Sequence, residues 1–291
     1  MIYLDGYMQE TAQELLHGAY DLHIHTSPSH FPRLLDDFTL VEQAAAAGMA
    51  GVMLKSHYEP TGARAAMVNL RLGQLGTAAY GGIVLNWPVG GLNPYAAESS
   101  LKMGGRFVWM PTRDAANSLA AGGNMPGDFF SRPGISILNE TGDLLPVVYE
   151  IMEVIKKYNG VLATGHISPK ESVLLCRAGR AYGVKMVLTH PEFDRTLMDT
   201  GTQRELAALG VAIEKCWFNL AVGIVTPQEM AAHIRACGPE RCFLTTDRGQ
   251  AGQEPPAAGM EHFLQTLLEE GFSRDELWAM VSGVPAQLVL S

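Results

Sequence analysis

Cysteine, positive charge and long apolar runs are all scarce in this chain. Only four cysteines occur among 291 residues (Cys176, Cys216, Cys237 and Cys242), and none forms a C-x-x-C pair. That spacing indicates neither a zinc knuckle nor a disulfide framework, and free thiols in a chain of this size predict a reducing compartment. Lysine and arginine together number 21 against 30 acidic residues, a formal net charge of −9. A general nucleic-acid binder presents a basic face, so nucleic acid is not an expected partner. A small anionic substrate stays compatible, because local charge decides its binding. No run approaches the length needed to span a bilayer. The opening MIYLDGYMQETAQELL has early acidic residues and no apolar stretch followed by small ones. The expectation is a cytoplasmic protein with no leader peptide and no membrane partner. No Gly-x-Gly-x-x-Gly follows the first predicted strand, which weakens a dinucleotide-binding reading.

What is present is an alternation. Hydrophobic residues make up 47% of the chain, enough for one barrel domain of roughly 250 residues with extensions, although two small domains would also fit. Strand patterns occur at Tyr20 to Thr26, Gly51 to His57, Tyr80 to Asn86, Arg106 to Met110, Gly160 to Gly165, Val184 to Thr189, Val211 to Lys215 and Arg241 to Thr246. A helical pattern follows each. Several strands are nearly continuous Val/Ile/Leu/Met runs, as expected when both faces are buried. Strict β–α alternation of this kind implies a parallel sheet, and eight units favour closure into a (β/α)₈ TIM-type barrel over 1–291. Ser168-Pro169-Lys170-Glu171 and Thr226-Pro227-Gln228-Glu229 each predict a helix start. A hydroxyl cap, Pro at the first helical position and Glu three residues after the cap make a capping box. Ser273-Arg274-Asp275-Glu276 repeats the cap without the Pro. The alternation pauses at about 112–143, which is rich in Gly, Asn and Pro and reads as a lid-like insertion after strand four.

In such a barrel the chemistry sits at the C-terminal ends of the strands. The polar residues there are His23 and His25 on strand one, Lys55 and His57 on two, His166 on five, His190 on six, Glu214 on seven and Asp247 on eight. Residues two apart on a strand share a face, so His23 and His25 project together. Neutral imidazoles with one carboxylate suit a divalent transition metal, Zn²⁺ first, with Mn²⁺ or Fe²⁺ as alternatives.

Asp21-Leu22-His23-Ile24-His25, Thr164-Gly165-His166, Leu188-Thr189-His190-Pro191 and Leu244-Thr245-Thr246-Asp247-Arg248 together resemble the amidohydrolase superfamily of metal-dependent hydrolases, over nearly the full length. The last segment, from Gly259-Met260 to Leu290, is similar to the closing helices of its phosphotriesterase-like branch. The resemblance implies a (β/α)₈ barrel and one or two metal ions on His23, His25, His166, His190 and Asp247. One feature departs from the pattern. Binuclear members often bridge their metals with a carbamylated Lys or a Glu on strand four, where this chain has Trp109-Met110-Pro111-Thr112. Either one metal is held, or Lys55 or Glu140 substitutes, with His57 as a ligand to a second ion. The Lys-Ser-His of strand two is also similar to the Asp-His of polymerase-and-histidinol-phosphatase domains.

The expected reaction is hydrolysis of an amide, lactam, lactone or ester bond in a small, anionic molecule. Phosphoester hydrolysis and metal-dependent decarboxylation are the alternatives. Asp247 is the expected proton carrier, and Lys55 or His57 the group that polarises the scissile oxygen. Arg33, Arg113, Arg195 and Arg248 lie at strand ends or in the loops there and would suit a substrate carboxylate or phosphate. Trp87 and Trp109 are candidates for the pocket wall, and Glu214 or Lys215 for a substrate contact, since adjacent strand residues face opposite ways. Asp21 is expected to face away from the lumen, and Cys216, with no base beside it, to be an inert thiol. An assembly of identical copies is compatible with this reading.

Overall fold

The computed structural model describes residues 12–122 and 131–290. Eight parallel strands run in sequence order: β1 (Tyr20–Ile24), β2 (Gly51–Leu54), β3 (Ala78–Val84), β4 (Gly105–Trp109), β5 (Val161–Ala163), β6 (Lys185–Leu188), β7 (Ala212–Cys216) and β8 (Cys242–Thr245). The ring closes between β8 and β1. The His25 N–H donates to the Arg248 carbonyl and the Asp247 N–H donates to the His23 carbonyl, both at 2.9 Å. A buried latch reinforces the seam. Asp21 accepts hydrogen bonds from the Thr246 N–H, the Thr246 hydroxyl and the His23 N–H. The expected (β/α)₈ barrel is therefore the observed one.

Two apolar layers result. Tyr20, Leu22, Met53, Phe107, Trp109, Val187 and Phe243 pack inside the cylinder, whereas Ile24, Leu54, Val108, Leu162, Leu188 and Leu244 face outward under the helices. The helices are punctuated as the residues demand. Ser168, Thr226 and Ser273 each close a capping box, with Glu171, Glu229 and Glu276 reaching back to the cap N–H. This satisfies two otherwise orphaned donors at each helix start.

Strand one departs from simple alternation. Its pairing with β2 shifts between Asp21 and Ile24, so Leu22 lies inside while Ile24 lies outside. An irregularity of this kind re-aims a side chain, and here it turns His23 into the lumen directly after Leu22. On β7 the alternation holds: Glu214 points inward and Lys215 outward. The expected lid over 112–143 falls in part on residues 123–130, outside the described set. Its described flanks are tied to the barrel wall through the Ala115–Ile135 bridge and through Glu171, which accepts from Ser136 Oγ and the Ile137 N–H. Of these described flanking residues, Arg113 reaches the barrel mouth. Among the described residues, no helix is long and apolar enough to cross a membrane.

Candidate metal centre

A cavity of about 620 Å³ opens at the C-terminal end of the barrel. His23, His25, His57, His166, His190 and Asp247 all line it, delivered by strands 1, 2, 5, 6 and 8. Backbone features account for part of this convergence. His190 (φ 25°) and Asp247 (φ 50°) adopt positive φ, a conformation rare for non-glycine residues and frequent at functional sites. Gly165 has φ 61°, and a Cβ there would stand 2.2 Å from the Met110 carbonyl oxygen. Only glycine lets the chain pass that close to β4 and present His166.

The hydrogen bonds behind the imidazoles fix their tautomers. His25 Nδ1 lies 2.9 Å from the Lys55 carbonyl oxygen, which can only accept. His23 Nδ1 lies 2.6 Å from a Glu214 carboxylate oxygen. Thr196 Oγ donates to the His190 carbonyl, so it accepts from His190 Nδ1 at 3.3 Å. In each ring the proton sits on Nδ1 and the Nε2 lone pair faces the lumen. The His23 and His25 Nε2 atoms stand 3.2 and 3.1 Å from Asp247 Oδ1, and one ligand atom from each of these three residues lies within 4.8 Å of the others. Three electron-pair donors thus converge with no proton between them, an arrangement that a cation resolves. His166 Nε2 and His190 Nε2 face each other at 3.2 Å, and the buried His166 Nδ1 has no hydrogen-bond partner.

Protonation agrees with the geometry. Burial pushes His25 down to about 3 and His190 down to about 4, and holds His57 and His166 well below the usual histidine value. Burial works against the charge of Asp247, but the neighbouring His23, His25 and Lys55 outweigh it and hold the carboxyl well below the usual range. Neutral imidazoles around an ionised carboxylate are the donor set of a divalent transition metal. The residues present fit such an ion.

Lys55 is fully buried, with Nζ 2.8 Å from His23 Nε2 and 5.3 Å above the Trp109 ring. It therefore donates to the same lone pair that a metal would take. His57 stacks on His25 at 4.7 Å between centroids, and its Nδ1 meets Thr112 Oγ at 2.8 Å. Arg33, Arg113 and Arg195 line the cavity.

Several sequence expectations are corrected. Arg248 is buried beside the mouth, its guanidinium bound to Glu254 and Gln253 rather than turned to the cavity. Trp87 is 41% exposed and donates its indole N–H to the Pro133 carbonyl, away from the cavity. Trp109 lies beneath the site, inside the cylinder. Glu140 is exposed in a surface turn and has no path to the centre. Glu214 points inward, yet all its bonds go to protein: His23 Nδ1, the Thr245 hydroxyl and the His190 N–H. It ties strands 1, 6 and 8 together behind the imidazoles, a role different from the expected substrate contact. Burial opposes its charge, but the His23 contacts prevail and bring it down to about 2. Burial raises the Cys216 thiol well above its usual value. The residues missed from sequence are Phe31, Phe193, Phe218, Val222 and Ile224, which supply the apolar part of the cavity wall.

The closed barrel is the fold of known amidohydrolase structures. A probable dipeptidase, PvdM, from Pseudomonas aeruginosa is 13% identical with TM-score 0.69, covering 97% of this chain and 98% of that chain. An amidohydrolase from the same organism is 12% identical with TM-score 0.65, also covering 97% and 98%. A 2,6-dihydroxybenzoate decarboxylase from Rhizobium is 13% identical with TM-score 0.52, covering 94% and 99%. The sequence profile of a family of unknown function (DUF6282) matches residues 18–214, and the chain belongs to that family. The matched span includes His23, His25, His166, His190 and Glu214 and stops before Asp247. No curated protein matches the chain in sequence.

Proposed function

We propose that this protein is a metal-dependent hydrolase that cleaves an amide, lactam, lactone or ester bond in a small anionic molecule. The observation that carries the reading is the convergence of the His23 and His25 lone pairs on Asp247 at the open end of the barrel, with Glu214 and the Lys55 carbonyl fixing both tautomers. His23, His25 and Asp247 would hold the first ion, and His166 and His190 would complete that site or hold a second. Zn²⁺ fits the imidazole-rich set first, with Mn²⁺ or Fe²⁺ as alternatives. Such an ion supplies Lewis acidity and makes water acidic near neutral pH.

The chain's own residues account for the rest. Asp247 is ionised at neutral pH and accepts the proton of the attacking water at a carboxylate oxygen. Because its pKa lies far below neutrality, it keeps that proton only briefly and passes it to the leaving group. Lys55 and His57 stand on the strand beside His23 and His25 and can donate to the scissile oxygen as its negative charge develops. Arg33 and Arg113 hold an anionic group of the substrate at the rim.

Decarboxylation is a second reading, favoured by one feature. β4 ends in the buried Trp109-Met110 and offers neither the lysine nor the carboxylate that bridges two metals, and the Rhizobium decarboxylase shares the fold. Three measurements test the proposal. Metal analysis of purified protein is expected to return one or two equivalents that a chelator removes. A screen of lactones, N-acyl compounds and phosphate esters is expected to give turnover on the first two classes, whereas released carbon dioxide would point to the lyase. His166→Ala is expected to abolish turnover with the circular dichroism spectrum unchanged; retained activity would contradict the assignment.

A further inference from the structure

The cavity wall is divided by chemistry. On one side Arg33 and Arg113 line the cavity with Phe31, the Arg113 guanidinium 5.1 Å from the ring centroid. The two guanidiniums are close enough to oppose one another's charge, and Arg33 also lies within electrostatic reach of His25 and Asp247. Arg33 is partly anchored, its Nε donating to Ser29 Oγ at 3.3 Å. The other side, from the loops after β6 and β7, is largely apolar, with the Arg195 guanidinium 5.6 Å over the Phe193 ring. Phe193 packs edge-on against His190 and Phe218 and at a tilt against His166, while Val222 and Ile224 stand at the rim, 47% and 38% exposed. Branched aliphatic side chains left in water at the mouth of a polar site gain from an apolar occupant, by about 25 cal/mol per Å² covered. Asp194 and Asp247 share the lining with Arg33, Arg113 and Arg195. Three arginines against two carboxylates make this lining more basic than acidic, which suits an anionic ligand.

We infer that the substrate is an amphipathic carboxylic acid, its carboxylate held by Arg33 and Arg113 and its aryl or branched alkyl arm lying on Phe193, Phe218, Val222 and Ile224. The centre lies between these two walls, so the scissile group sits between the carboxylate and the arm. A volume of about 620 Å³ is within the usual range of small-molecule sites and admits a molecule of this kind. Arg33 selects for charge and Ile224 for the arm. This assignment names the substrate class for the hydrolytic reading above, and in that respect it rests on it.

The test is a binding comparison that needs no turnover, run by calorimetry on metal-replete and on chelator-treated protein. The probes are 4-phenylbutyrate, butyrate, 4-phenylbutan-1-ol and 3-phenylpropyl phosphate. 4-Phenylbutyrate is expected to bind at least about tenfold more tightly than butyrate and than the alcohol, since a charge-assisted anchor and a buried ring are each worth that much. Arg33→Met is expected to bring the acid-to-alcohol ratio close to one while the preference for the phenyl arm persists. Ile224→Ser is expected to do the reverse. An alcohol that matches the acid, a butyrate that matches the phenyl acid, or a ratio unchanged in Arg33→Met would overturn the inference. Tighter binding of the phosphate would also overturn it, in favour of a phosphoester. Protein that shows the expected preference but holds no metal would sink the hydrolytic reading and leave the ligand class standing. Metal-loaded, active protein without the preference would do the opposite.

Discussion

Replacing Lys215 by Met isolates the buried ion pair behind the centre. Lys215 points out of β7 and donates to Glu192 and, at 2.7 Å, to Gln203 Oε1. Neither Lys215 nor Glu192 exposes any side-chain surface. In Lys215→Met the Glu192 carboxylate stays buried with only His233 Nδ1, 3.3 Å away, as an ionic partner. Removing one member of such a pair costs about 3–5 kcal/mol, and His233 keeps the expected cost at the lower end, about 3 kcal/mol. An unfolding entropy of about 2.1 cal/mol/K per residue converts this to a fall in Tm of about 5 °C for a chain of this length. Adding Glu192→Leu removes both charges and is expected to recover most of the loss.

The pH dependence of that pair follows from its two partners. For Glu192, burial opposes the charge, but Lys215 prevails and lowers the folded pKa, so its contribution is lost as pH falls through that lowered value. For Lys215, burial also opposes the charge, but Glu192 prevails and raises the folded pKa, so its contribution is lost as pH rises through that raised value. The gap between wild type and Lys215→Met is therefore flat across neutral pH and narrows in acid. Urea denaturation of chelator-treated protein at several pH values measures it. A gap under about 1 kcal/mol at neutral pH, or a double variant no more stable than the single, would refute the reasoning. Glu192 follows His190 by two residues, so the single variant is also expected to weaken metal binding.

Glu214→Gln is expected to lower metal affinity by about 10–100-fold, read by competition with a fluorescent chelator, because the amide can present its NH₂ to His23 and reverse the tautomer. Lys55→Met is expected to preserve or raise metal affinity, since it frees the His23 lone pair, while turnover falls by about 10²-fold or more. Loss of metal in that variant would instead place Lys55 among the ligands. Gly249→Ala meets the His25 carbonyl oxygen at 1.7 Å and carries φ +117°; thermal melts are expected to show destabilisation by about 2 kcal/mol or more.

Much of this was legible because a barrel brings strand ends together whatever the loops do. The eight apolar runs, the three capping boxes and the polar residue closing each of strands 1, 5, 6 and 8 all appear in the sequence at the positions the fold uses. Less visible was anything that depends on which neighbour a side chain meets. Period two says that Glu214 and Lys215 part company, but not that Glu214 stands behind His23 or that Lys215 finds Glu192. Arg248 looked like a rim cation until Glu254 and Gln253, only a few residues on, proved to occupy its guanidinium. The shift in β1 that places Leu22 and His23 on one side leaves no mark in a strand whose residues alternate on paper. Val222 and Ile224 follow a short helical turn (Trp217–Ala221) and resemble ordinary core residues; only their exposure beside the cavity marks them out.

Closure of the cylinder has a bearing on how the centre comes to exist. The latch between Asp21 and Thr246 spans 225 residues, and the same seam sets His23 and His25 beside Asp247. During synthesis His23 and His25 emerge before Asp247 and wait, without their carboxylate, until the eighth strand is made and docked. An ion held by His23, His25 and Asp247 would clamp the first and eighth strands together, adding its own bonds to the seam that shuts the cylinder.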